Sequence, residues 1–113
     1  MILNTAKLSP AKWTKAVFHR SMWDGENPPR NVSTSGHICG CWGLSKNDPK
    51  DNYDMPWMIT HIPTGLGVCT IPTLGEGKQF CQVLNTALGW EHMTRSEDMT
   101  PEQTAAYHAA RFD

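Results

Sequence analysis

Trp57-Met58-Ile59-Thr60-His61-Ile62-Pro63-Thr64-Gly65-Leu66-Gly67-Val68-Cys69-Thr70-Ile71 is the stretch whose reading decides the fold. Residues 57–62 are rich in β-branched and aromatic types, and Pro56 and Pro63 bound them, so they read as a strand. Leu66 to Ile71 reads as its partner. Pro63, Thr64 and Gly65 suit a three-residue bulged hairpin loop, with Gly65 in the left-handed conformation. That loop sets Ile62 opposite Leu66, Thr60 opposite Val68, Ile59 opposite Cys69 and Trp57 opposite Ile71. One face then collects Trp57, Ile59, Cys69 and Ile71.

Working outward toward the C-terminus, Thr73-Leu74-Gly75-Glu76 is a capping box that opens a helix. On a helical wheel Leu74, Gly77, Phe80, Cys81, Leu84, Ala87 and Leu88 share one side, and Gly89 suits the C-terminal cap. Gly75 and Gly77 sit where the first turn can approach the sheet closely. Thr100-Pro101-Glu102-Gln103 repeats the start signals and predicts a last helix over 100–112, with Ala105, His108, Ala109 and Phe112 on its apolar side.

Toward the N-terminus, Ser45 to Met55 is a polar loop with Tyr53 and Met55 at its tip, the length of loop that often carries function. His37 to Leu44 reads as a single strand weakened by glycines, with Ile38, Trp42 and Leu44 on one face and His37, Cys39 and Cys41 on the other. Asp24 to Asn31 is a turn-rich break. Ser9-Pro10 is a helix start followed by the stripe Trp13, Ala16 and Val17, although residues 16–23 also satisfy a strand pattern. The expected fold is therefore α+β: a three-stranded antiparallel sheet packed by one main helix, with flanking N- and C-terminal helices. One domain spanning 1–113 is expected, with its core over 36–90.

Composition narrows the function. The 113 residues are 39% hydrophobic and 19% charged with five Trp, values that fit a loop-rich globular chain. No apolar run approaches the roughly 20 residues of a membrane span, so no membrane role is expected. The net charge of −1 conceals a division: residues 1–50 carry seven Lys/Arg against three acids, and residues 51–113 carry three against eight. A basic half of this kind can meet phosphates or an acidic protein surface.

His37-Ile38-Cys39-Gly40-Cys41 places zinc-type ligands close together, with His61, Cys69 and Cys81 elsewhere in the chain. Cysteine is also a common small core residue. A thiolate nucleophile at Cys39 or Cys41 needs an orienting acid that the sequence does not supply. His61 reads as a partly exposed sheet residue. No catalytic set assembles, no cofactor is expected, and the remaining signal is one of surfaces. Arg20, Trp23, Arg30, Tyr53, Met55 and Trp57 are the expected partner contacts, because aromatic and arginine side chains anchor interfaces.

The hairpin motif Trp57-Met58-Ile59-Thr60-His61-Ile62-Pro63-Thr64-Gly65 with a helix behind it resembles that of small accessory proteins of tailed bacteriophages. The resemblance covers about 35 residues and transfers no catalytic residue. It implies a phage-encoded protein in the cytoplasm of a bacterial host cell that binds and inhibits a host protein, such as a CRISPR or other defence nuclease, in the manner of anti-CRISPR proteins. A small nucleic-acid-binding module that uses the basic half and a zinc-stabilised structural domain are the alternatives. The order of strands before a helix also resembles small three-stranded DNA-binding modules of some integrases.

Overall fold

The computed structural model describes residues 12–22, 30–48, 50 and 53–112. Five strands, β1 (Thr14–Met22), β2 (Arg30–Cys39), β3 (Trp42–Lys46), β4 (Trp57–His61) and β5 (Leu66–Ile71), form one antiparallel sheet in sequential order. Helix α1 (Leu74–Leu84) follows, then two short 3₁₀ turns at Trp90–His92 and Ser96–Asp98, and helix α2 (Pro101–Phe112). The arrangement is α+β, but the expected three-stranded sheet with an N-terminal helix is overturned.

Two local readings account for the difference. Residues 14–22 are a strand, because pairing along all nine positions with the long β2 outweighs a helical stripe of three apolar residues. The run from His37 to Leu44 is broken: Gly40 adopts φ 59° and turns the chain, so β2 and β3 form a hairpin in which Cys39 faces Trp42 and His37 faces Leu44. His37, Cys39, Trp42 and Leu44 therefore share one face, and Ile38 lies on the other. The expected Ser9-Pro10 helix start lies outside the described residues.

The β4–β5 hairpin keeps Trp57 opposite Ile71 and Ile59 opposite Cys69. Nearer the loop the expected pairs give way to Thr60 with Gly67 and His61 with Leu66, because Val68 is an extra residue in a bulge. The loop is also one residue longer than expected. The Gly65 N–H reaches back to the His61 carbonyl at 2.8 Å.

Helix α1 covers the face that carries Trp42, Leu44, Ile59 and Ile71, and it buries Gly77, Phe80, Cys81 and Leu84. The Thr73 hydroxyl accepts from the Glu76 N–H at 3.1 Å. Gly77 permits close approach, since a Cβ there would lie 2.8 Å from Leu44 Cδ2, whereas the expected like role of Gly75 is overturned, because a Cβ there would meet nothing within 4 Å. The helix ends at Leu84, earlier than expected, with Asn85 as its cap. Asn85 accepts from the Trp42 indole N–H at 2.8 Å, and Leu88 is left 87% exposed. In α2, Thr100 and Gln103 cap each other (2.9 and 3.1 Å). The packed side is Gln103, Ala106, Tyr107 and Ala110, one residue round from the expected stripe, with Tyr107 edge-on to Phe80.

On its opposite face the sheet coils until the Ser21 N–H of β1 donates to the Gly65 carbonyl at 2.6 Å. Phe18 is buried there against Gly43, where a Cβ would lie 2.6 Å from the ring. A Cβ on Gly36 would lie 3.0 Å from the other side of the ring, at Cε1, and would run into the Leu44 carbonyl.

Candidate functional site

An α-helix about 10 Å across cannot cover five strands spaced about 4.8 Å apart. Helix α1 packs on β3, β4 and β5. Among the described residues, nothing covers the same face over β1 and β2 beside it. The register places Lys15 opposite His37, Val17 opposite Ser35 and Lys46 opposite Trp57 on that face. These six side chains, with Ala16 and Gly36, line a shallow groove of about 410 Å³.

The groove has an apolar floor and a cationic rim. Val17, in the middle of its strand, is 63% exposed. Trp57 is half-buried, with its ring centroid 6.2 Å from that of His37 at an interplanar angle of 51°. Lys15 and Lys46 are exposed, and among the described residues the lining includes no carboxylate. Such a set can hold an anionic group beside an apolar or aromatic one. It has no adjacent nucleophile and base.

The expected contact residues do not converge. Trp57 lies in the groove. Arg20 points to the opposite face and is 7% exposed, so it is a structural residue and not a surface contact. Its guanidinium donates to Ser45 Oγ at 3.1 Å and to the Tyr53 hydroxyl at 3.4 Å, and it lies 5.8 Å from the Tyr53 ring centroid, tying β1 to β3 and to the loop before β4. Tyr53 and Met55 are 39% and 40% exposed. Met55 lines a different cleft, of about 880 Å³, with Asp54 and β5, α1 and α2. Trp23 lies outside the described residues, as does the side chain of Arg30. Lys15, Val17 and Lys46 are not among the contacts expected from the sequence, where Val17 counts only toward an apolar stripe and the lysines only toward the basic half. The available signal was the strand pattern over 16–23, which puts Val17 on the face opposite Phe18.

The cysteines gather no metal site: among the described residues no group of three or more His, Cys, Asp or Glu could hold an ion. His37 faces Trp57, and the four thiols are free. Burial pushes the Cys41 thiol up to about 11, with smaller contributions from Glu91 and Cys39, and burial also raises the Cys39 thiol. At neutral pH both are the poorly nucleophilic protonated form. Cys81 is buried and its thiol is raised well above the usual value by desolvation.

His61 is buried, contrary to the sequence reading, with 2% of its surface exposed between Trp42 and Trp90. Its Nε2–H donates to the Trp90 carbonyl at 2.6 Å, and Nδ1 lies 2.9 Å from the Thr64 hydroxyl, which donates to the His61 carbonyl at 3.2 Å. Desolvation lowers its pKa below 6.5, opposed by the bond to Trp90. A lowered folded-state value means that the unfolded chain binds the proton first. Stability is then fully present above pH 6.5 and is lost as pH falls from there through the folded-state value. Urea denaturation at pH 7.5 and pH 5 is expected to show a loss that His61→Asn, even if less stable throughout, shows to a smaller extent. An equal loss in both proteins would place the acid sensitivity elsewhere.

Compared with protein-family models, curated proteins and solved structures, the chain matches none. No described helix is long and apolar enough to cross a membrane.

Proposed function

We propose that this chain acts by binding: it docks a host protein with an acidic surface on the open face of β1 and β2, and thereby blocks it. The observation that carries this reading is the groove itself, in which exposed Val17 and half-buried Trp57 lie between Lys15 and Lys46 with no carboxylate among the described lining residues. Interfaces place apolar and aromatic anchors at the centre and charge at the rim, where it steers association. The hairpin likeness to tailed-phage accessory proteins supplies the setting, a bacterial cytoplasm and a host target. Defence nucleases, CRISPR effectors among them, fit that setting, since a nuclease that binds catalytic metal ions presents clustered carboxylates.

The test is a comparison of wild type with the double variant Lys15→Glu/Lys46→Glu in capture from bacterial lysate, followed by affinity measurement on the identified partner. Both lysines are exposed, so unfolding stability is expected to stay within about 0.5 kcal/mol. Affinity is expected to fall at least tenfold. Full retention of the partner by the double variant would remove this face from the function.

A second reading rests on the Trp57 and His37 rings beside two lysines, an arrangement that also suits base stacking with phosphate contacts. It predicts binding to single-stranded nucleic acid that weakens steeply with salt. Absence of any mobility shift at low salt would eliminate it.

A further inference from the structure

β1 is an edge strand, and its free side adjoins the groove. The Ser21 N–H points away from β2, toward Gly65, and the β1–β2 register runs without a bulge from Thr14 to Met22. In an antiparallel ladder every second residue shares that orientation. The backbone N–H and C=O groups of Lys15, Val17 and His19 therefore also point outward. Among the described residues no backbone or side-chain group pairs with those of Val17 or His19. Side chains 14–17 are exposed on both faces, so nothing described covers the edge there.

We infer that the outer edge of β1, over Lys15–His19, accepts an extended acidic segment of the partner protein as a sixth strand. The segment's alternate side chains lie along Val17 and the groove. This inference rests on the groove being the binding face and adds the mode of binding. Main-chain hydrogen bonds to the edge supply affinity, and side-chain contacts on one face supply selectivity. The charge decides the occupant. Lys12 and Lys15 are exposed about this edge and Lys46 is exposed across the groove on β3, with no acid among the described groove residues. A lysine on an edge strand disfavours pairing with a second copy that carries the same lysine, and favours a strand bearing Asp or Glu. Ser21 is already engaged by Gly65, so the open length admits about four or five residues, a common strand length.

The probe is a blocked seven-residue peptide alternating glutamate and valine, added to isotope-labelled full-length protein. Amide exchange is expected to slow at Val17 and His19, with Trp57 perturbed. Two backbone N-methylated versions, each blocking one alternate set of amides, separate the mechanisms. Methylation of the set that faces β1 is expected to weaken binding at least tenfold, and methylation of the other set less than about twofold. Equal binding by both would overturn strand addition yet leave the groove as a side-chain site. No binding of the parent peptide, or signals moving only in the cleft near Met55, would overturn the inference, and the lysate comparison would then decide whether the groove reading survives. Protection of Val17 and His19 without peptide, accompanied by a dimeric mass in sedimentation, would overturn it in favour of a second copy. A single-stranded oligonucleotide that perturbs Trp57 without protecting those amides, where the peptide fails, would overturn it in favour of nucleic acid.

Discussion

Replacing Trp42 by alanine is expected to lower the unfolding free energy by about 3–5 kcal/mol, the usual cost of truncating a large buried aromatic. Trp42 is 1% exposed, stands edge-on to Trp90 at 5.1 Å and lies 5.3 Å from the His61 ring. Its indole N–H also caps the end of α1 through Asn85. The substitution opens a void where β3, β4, α1 and the Trp90 turn meet, and small domains hold only about 5–15 kcal/mol in total. Trp42→Phe keeps part of the ring packing and loses the bond to Asn85, so it is expected to fall between wild type and alanine. Urea denaturation monitored by circular dichroism measures the series. A Trp42→Ala protein within about 1 kcal/mol of wild type would show that the aromatic cluster is not the centre of the core.

Gly43→Val is expected to cost about 1–3 kcal/mol or more, because the new side chain enters the space of the Phe18 ring. The discriminating measurement is a double-mutant cycle with Phe18→Ala. Phe18→Ala alone removes a ring that is 4% exposed and is expected to be strongly destabilising. In the double variant the valine occupies vacated space, so the double variant is expected to be no less stable than Phe18→Ala alone. The two costs would then be far from additive. Simple addition would mean that Phe18 does not rest on Gly43, and the coiling of β1 over that face would need another cause.

The same glycines show why part of the fold was illegible. In the sequence Gly36, Gly40 and Gly43 look like defects in one strand. In the structure Gly40 is the turn that divides it, and Gly36 and Gly43 are the floor on which Phe18 lies. Nothing local relates Phe18 to a position 25 residues later. For the same reason the stripe Trp13, Ala16 and Val17 suggests a helix although residues 16–23 also fit a strand: local preference does not decide between them, and the partner that makes 14–22 a strand begins at Arg30. His61 and Arg20 were misplaced by the same limit, since polar side chains are read as exposed unless their buried partners are known. Those partners are the Trp90 carbonyl for His61 and Ser45 for Arg20.

The site divides in the same way. Trp57 was legible as an aromatic residue at a strand end, and the basic character of the first half was legible as a charge count. The grouping of Lys15, Val17, His37, Lys46 and Trp57 was not, because it depends on the register of three strand pairs and on how far α1 reaches across the sheet.

By itself, the sequence determined what short-range chemistry can specify: the Trp57–Ile71 hairpin, the Thr73 and Thr100 caps, and the apolar side of α1 from Gly77 to Leu84. Each depends on residues within a few positions of one another, where turn geometry and capping bonds act. Only the tertiary structure decided the number of strands, the burial of Phe18, Arg20 and His61, and the open face beside α1. Those features follow from packing between segments far apart in the chain, and such contacts leave no periodic trace in either segment alone.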